Sequence, residues 1–398
     1  MTKTIRRLLV RTLAGAAVGA TLIATVAVAQ AATSPAPDNA AVGPPGADWS
    51  TAVVDSTMKR LSPTTLGSWG YTQGLYLYGE YLVFQRTHNP KYLAYIKAWA
   101  DRFVDSKGNI SNSFNSLDSM QSGNVLLILF SETKDVRYKT AAMKIRNRLK
   151  TYPRTKDGGF WHATSRQHQL WGDGVFMVLP FLVHYGAIVG EKSTLDTEAA
   201  NQLLIYDKHL LAPNGMHFHA YDESATQPWV VPGTNHAPEQ WCRANGWYTM
   251  ALEEVLDNIP TSQPQRPQLL SILRRMVTGI KQLQDPKSGL WFQVADKGSK
   301  PDNWTETSCS SMFTYTVAHA VQRGWVDPSL KSVATKGYQA ILTSRVSKDS
   351  SGMTNISQIC IGTNVGDYAF YIGRPRATND FHGLGAFMIM NEQLRGTG

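Results

Sequence analysis

The chain has 398 residues, enough for one large domain or two small ones. Its formal charge of +9 counts Lys3, Arg6, Arg7 and Arg11, all ahead of the first acid at Asp38. Without them 35 basic residues face 30 acidic ones, or +5, spread without a Lys/Arg-rich block, and so mild an excess calls for no nucleic-acid partner. Three cysteines, Cys242, Cys309 and Cys360, lack the paired spacing of a zinc site and are too few for a disulfide framework; export would let two of them oxidise and leave one over.

In chain order, the basic start leads into an apolar stretch from Leu13 to Ala29 and then Ala29-Gln30-Ala31, a small-x-small pattern. Residues 1–31 read as a signal peptide, so the protein is expected to be secreted or periplasmic. Gly15, Gly19, Thr21 and Thr25 argue against a membrane span in that stretch, and no later segment is apolar enough for one, so no membrane partner is expected. Residues 32–47, rich in Pro, Ala and Gly, read as a disordered lead-in, and 48–398 as one catalytic domain.

Within that domain a glycine-centred segment recurs after each of several helical stretches, as Gly108-Asn109-Ile110, Gly159-Phe160-Trp161, Gly215-Met216-His217, Gly289-Leu290-Trp291 and Gly352-Met353-Thr354. Before it lies an amphipathic helix, for example Tyr92, Tyr95, Ile96, Trp99 and Phe103, or Leu269, Ile272, Leu273, Met276, Ile280 and Leu283. After it comes a helix apolar nearly all round: Asp118 to Phe130, Trp171 to Tyr185, Trp241 to Leu256, Ser308 to Val321 and His382 to Leu394. Trp49 to Leu61 with Tyr71 to Phe84 completes six helical hairpins. The prediction is an all-α (α/α)6 barrel, apolar helices inside and charged ones outside; an open solenoid would expose a flank of each inner helix, and these are too apolar for that.

The barrel gathers the N-terminal ends of its inner helices at one mouth, with Tyr71, Asp118, Trp171, Asp173, Trp241, Arg243 and Asn245, and its loops add Trp161, His162, His217, His219 and Trp291. Two readings stand at each candidate. Asp173 is either a general acid neutralised by an aromatic surround or a carboxylate favoured by its helix N-terminus. Asp118, one repeat earlier, either pairs with it so that their pKa values separate or caps its own helix. Arg243 either holds a substrate carboxylate or makes an internal salt bridge to Asp118 or Asp173. Of Trp241 and Trp247, one is expected to stack on sugar while the other packs. His217 and His219 at alternate positions permit a metal, but no third ligand has matching spacing, so no metal and no cofactor are assigned. Neither a phosphate-cradling glycine loop nor a serine-esterase elbow occurs.

Seven motifs together carry a resemblance. They are Trp69-Gly70-Tyr71-Thr72-Gln73-Gly74, Leu117-Asp118, Gly159-Phe160-Trp161-His162 running on to Gln169-Leu170-Trp171-Gly172-Asp173-Gly174, His219-Ala220-Tyr221-Asp222, Trp241-Cys242-Arg243-Ala244-Asn245-Gly246-Trp247, Glu306-Thr307-Ser308 and Asn379-Asp380-Phe381-His382-Gly383. The chain resembles the unsaturated rhamnogalacturonyl hydrolases of glycoside hydrolase family 105. The resemblance implies the (α/α)6 barrel, an oligosaccharide substrate, and Asp173 as general acid and base with Asp118 in support. It places Tyr71, Trp171, His219, Trp241, Arg243 and Trp247 around an unsaturated uronic acid. The implied chemistry is hydration of a C4=C5 vinyl ether, followed by hemiketal opening. The loop Ala163-Thr164-Ser165-Arg166-Gln167-His168 departs from the family pattern, which leaves recognition of the leaving sugar open. The nearest alternative is an unsaturated glucuronyl hydrolase of family 88, against which Arg243 and the His219 motif weigh. More distant ones are a silent carbohydrate-binding barrel, disfavoured by the presence of both acids, and a polysaccharide lyase or mannanase on the same fold.

Overall fold

A computed structural model describes residues 47–395; the predicted signal peptide, and all of the lead-in except Ala47, lie outside the described residues. In chain order the elements are α1 (Trp49–Arg60), α2 (Tyr71–Thr87), α3 (Pro90–Ala100), α4 (Gly123–Thr133), α5 (Val136–Lys150), β1 (Gln169–Trp171), α6 (Gly174–Ile188), α7 (Lys192–Leu210), β2 (Ala220–Asp222) and α8 (Cys242–Asn258). They continue with α9 (Arg266–Leu283), α10 (Thr307–Gln322), α11 (Lys331–Ser344), β3 (Val346–Lys348), β4 (Thr354–Ile356), β5 (Ile359–Cys360), α12 (Tyr368–Ile372), β6 (Arg376–Ala377) and α13 (Phe381–Leu394).

Helices α2, α4, α6, α8, α10 and α13 pack each on the next, and α13 returns to α2, closing an inner ring. Helices α1, α3, α5, α7, α9 and α11 lie outside it, so the expected (α/α)6 barrel is the observed fold. Burial explains the division. α9 buries only one stripe, Leu269, Ile272, Leu273, Met276, Val277 and Ile280, whereas α6 buries every residue from Gly174 to Val183. The strands form three two-stranded antiparallel ribbons, β1 with β2, β3 with β4 and β5 with β6. In the recurrent turns Gly108, Gly215, Gly289 and Gly352 adopt positive φ, which a side chain would strain; in the second repeat this falls to Gly158 rather than Gly159.

Two helix starts differ from expectation. Trp171 ends strand β1, whose partner residue is Ala220, and α6 begins only at Gly174, leaving Asp173 at the N-cap. Asp118 sits in a short 3-10 turn, Asp118–Met120, ahead of α4. In both cases the chain turns sharply before the inner helix, and that turn carries the acid.

Ring closure rests on small residues between α2 and α13. A Cβ on Gly385 would lie 2.7 Å from the carbonyl carbon and oxygen of Leu75, and one on Gly79 would lie 3.0 Å from the Cβ of Met388. Arg86 on α2 bonds Glu392 on α13 at 2.7 Å, which ties the seam at its far end. A disulfide between Cys242 and Cys309, Cα atoms 5.7 Å apart, staples α8 to α10 at the mouth, and Cys360 is left buried and free. Because the obstruction at Gly385 is backbone, Gly385→Ala is expected to push the seam apart and cost about 1–3 kcal/mol. A fall in Tm on thermal unfolding checks this, and an unchanged Tm would contradict it.

Candidate active site

The mouth of the barrel holds a cavity of about 180 Å³, lined by Tyr71, Asp118, His162, Trp171, Asp173, Trp241 and Trp247, with Ser116, Ala163, Arg166, Met177, Thr363 and Asn364 completing the wall. Seven of the residues predicted for the mouth therefore meet in one place. Both Trp241 and Trp247 line it, where only one was expected to face sugar. Phe176 stacks on Trp247 at 4.8 Å and forms part of the packing beneath.

Asp173 is 7 % exposed, and its carboxylate makes no bond to cap its own helix. Instead Oδ1 lies 3.0 Å from His219 Nε2, and His219 Nδ1 lies 2.5 Å from the Tyr371 hydroxyl. With Asp173 ionised, one proton arrangement satisfies both contacts: the Tyr371 hydroxyl donates to Nδ1, and Nε2–H donates to the carboxylate. Burial lowers the pKa of His219, which keeps the ring neutral. For Asp173, burial is the largest single influence and pulls upward, but the hydrogen bond from His219, the nearby His219 and His162 rings and a backbone hydrogen bond together outweigh it and hold the carboxyl below its ordinary value.

Asp118 behaves oppositely. Ser116 Oγ accepts the Ser119 amide and so takes the capping role, leaving the Asp118 carboxylate facing His162. Burial raises its pKa, His162 opposes that, and the nearby charge of Asp173 adds to it. The two acids separate as the sequence implied, but in the reverse sense: Asp118 is raised, although its side chain is 35 % exposed, and the more deeply buried Asp173 is lowered. His162 lies between them, Nε2 3.7 Å from Asp118 and Nδ1 3.6 Å from Asp173, and it stacks on Trp171 at 4.3 Å.

A second histidine chain holds Tyr71. Its hydroxyl is 2.6 Å from His382 Nε2, and His382 Nδ1 is 2.5 Å from Asp380. Burial lowers the His382 pKa, so the neutral ring donates to Asp380 and accepts from Tyr71, leaving the phenol lone pairs for the cavity.

Two predicted contacts are corrected. His219 is fully buried and does not line the cavity; it positions Asp173. Arg243, 1 % exposed, does not line it either. Nη1 donates to the Cys360 carbonyl at 2.6 Å and to Ser308 Oγ, and Nη2 donates to the Ile361 carbonyl at 2.9 Å. Its nearest carboxylate is Glu306 at 4.0 Å, neither Asp118 nor Asp173. Both terminal nitrogens of the guanidinium are thus given to the 360–361 carbonyls, which sets the rim that carries Thr363 and Asn364. Of the residues expected at the rim, Trp291 is buried with its ring N–H given to the Ile280 carbonyl, and His217 is bonded to Asp207. The two histidines thus serve different carboxylates. Sequence reasoning missed Tyr371, Thr363 and Asn364, which belong to the non-repeating stretch between α11 and α13; His382 and Asp380 lay in a recognisable motif.

A family model described as Glycosyl Hydrolase Family 88 matches residues 49–395. The unsaturated rhamnogalacturonyl hydrolase YesR of Bacillus subtilis is 26% identical over 315 residues, 77% of this chain and 86% of that one. Protein Atu3128 of Agrobacterium fabrum is 30% identical over 226 residues, 54% of this chain and 96% of its own. A solved structure, the Clostridium acetobutylicum glycoside hydrolase from family 105, superposes with a TM-score of 0.84 at 32% identity, covering 87% of this chain and 99% of that one.

Removal of Arg243 leaves Glu306 buried and the 360–361 carbonyls without their donor. Arg243→Ala is expected to cost about 3–5 kcal/mol of stability, where loss of a substrate contact alone would leave Tm in place. Differential scanning calorimetry separates the two.

Proposed function

Because the chain belongs to the glycosyl hydrolases that the Family 88 model describes, and stands beside the family 105 structure among them, we propose that it removes a terminal 4,5-unsaturated uronic acid from lyase-generated oligosaccharides of the rhamnogalacturonan type, as in pectin. The observation that carries the reading is the aromatic cavity with Asp173 and Asp118 on its wall and His162 between them. The likeness to YesR supports the substrate class.

In this reading Asp173 delivers a proton to C4, and the positive charge that develops at C5 is quenched by water. Asp173, now a carboxylate, takes the proton of that water and is restored as the acid. The hemiketal then opens by breaking the bond between C5 and the ring oxygen, which leaves a ketone at C5. The hemiacetal so formed at C1 collapses to an aldehyde, breaking the bond between C1 and the glycosidic oxygen and releasing the leaving sugar. One acid acting in turn as donor and acceptor suffices, so the opposed carboxylate pair of a direct displacement is not needed. Tyr71, held by His382, orients the sugar, and the tryptophans exclude water. Export to an oxidising compartment is part of the proposal. The leader pattern supports it, as does the Cys242–Cys309 disulfide.

The free enzyme holds Asp173 below its ordinary pKa, whereas seated substrate expels water and brings its own carboxylate near. Both effects favour the neutral acid. Activity requires the protonated form, so it falls as pH rises through the pKa. The alkaline fall of kcat/KM, which reports the free enzyme, is therefore expected at lower pH than that of kcat, which reports the complex. Coincident limbs would remove the proposed activation on binding.

Hydration destroys the conjugated enol ether, so ultraviolet absorbance of unsaturated rhamnogalacturonan fragments should decay with the wild-type protein. Asp173→Asn should slow turnover by about 10²-fold or more while leaving the fold and ground-state binding in place. Decay only with glycosaminoglycan fragments would transfer the protein to the glucuronyl reading, and an active Asp173→Asn variant would overturn the role of that acid.

A further inference from the structure

An anionic substrate must enter a cavity whose wall already carries two acids, which requires a cation within reach. Arg243 is spent on the Cys360 and Ile361 carbonyls. The guanidinium that does line the cavity belongs to Arg166, in the turn that joins His162 to β1. Arg166 is exposed and forms no ion pair among the described residues, yet it is held from two sides. Its guanidinium lies 5.2 Å from the centre of the Trp171 ring, and Nη2 donates to Asn364 Oδ1 at 3.2 Å across the mouth, from a loop 198 residues away in the chain. Asn364 stands on the rim that Arg243 holds from beneath.

Depth decides which sugar this cation reads. Asp173 and His162 are buried, and the ring whose C4 is protonated must lie against them. Arg166 lines the same cavity but is exposed, so it stands on the solvent side of the buried acid, toward which the sugar that follows the seated ring must extend. One edge of its fork is taken by Asn364, and its other N–H groups are free to meet an oxyanion bidentately.

Resting on the proposed function, we infer that Arg166, oriented by Asn364, grips an oxyanion on the leaving sugar, so that the same site, while accepting the neutral rhamnose of rhamnogalacturonan, turns over faster a leaving sugar that carries a sulfate ester or a carboxylate. Arg166 is then a specificity residue at the mouth.

The test compares kcat/KM for three unsaturated disaccharides, in which the uronyl group is joined to neutral rhamnose, to a rhamnose sulfate ester, or to a second uronate. Wild type is expected to favour at least one anionic leaving sugar over the neutral one by roughly tenfold, the scale of one charge-assisted hydrogen bond. Which anion gains identifies the source of the charge. Salt should erode the preference. Arg166→Ala should abolish it, Arg166→Lys should keep part of it, and Asn364→Ala should reduce it, all with an unchanged Tm because both residues lie at the surface. Equal kcat/KM for neutral and anionic sugars in wild type, or a preference that survives Arg166→Ala, overturns the inference. A KM that rises equally for all three in Arg166→Ala also overturns it, since Arg166 would then read the carboxylate of the terminal uronate. Absence of hydration with every disaccharide removes the functional reading itself, and the inference with it.

Discussion

Everything at the mouth of this barrel depends on the first inner helix meeting the last. The ring closes where Gly385 lies against the Leu75 backbone and Gly79 against Met388, contacts that leave no room for even one methyl group. Close backbone approach sets the radius of the ring and brings α2 and α13 near enough for Tyr71 to bond His382. Packing of this density is bistable rather than gradual: a seam that opens loses its dispersion contacts at once. In the same ring α6 and α8 are neighbours, so their starts lie side by side at the mouth, which is how Asp173 and Trp241 share a cavity.

Above that ring, the chemistry is organised by buried neutral imidazoles. His219 links Asp173 to Tyr371, and His382 links Tyr71 to Asp380. Each chain is satisfied at both ends, so each fixes the orientation of a side chain that reaches the cavity, and in a low-dielectric setting such bonds are strong. Tyr371, Asp380, His382 and the carbonyls gripped by Arg243 all come from residues 360–382. The last part of the chain therefore supplies neither cavity acid but helps hold Asp173, Tyr71 and the rim in place.

The direction in which the two carboxyls part follows from their partners rather than from their depth. Both are desolvated, which raises each; only Asp173 receives a hydrogen bond from a histidine, and that bond lowers it. Asp118 has only the more distant His162 and the charge of its neighbour. An environment of tryptophans alone would have raised Asp173 as well.

The architecture was legible in the sequence because it is written in local periodicity: the one-sided apolar stripe of α9, the all-round apolar run of α6, and glycines at left-handed turns each report their own surroundings. Motif order also placed Asp118, Asp173, Tyr71, Trp171, Trp241 and Trp247 at one mouth. What the sequence could not contain was the partner of each buried polar group. That Arg243 binds the carbonyls of Cys360 and Ile361, that His219 lies behind Asp173, and that Tyr371 and Asn364 reach the site at all are contacts between segments 46 to 198 residues apart. The helix boundaries at Asp118 and Asp173 shifted for a related reason, since β1 is held by β2, a strand 49 residues further along the chain. Periodicity survives in a linear string because it is a property of neighbours. Hydrogen-bond partners and pKa shifts are decided by which distant groups share a desolvated space, and only the folded ring creates that space.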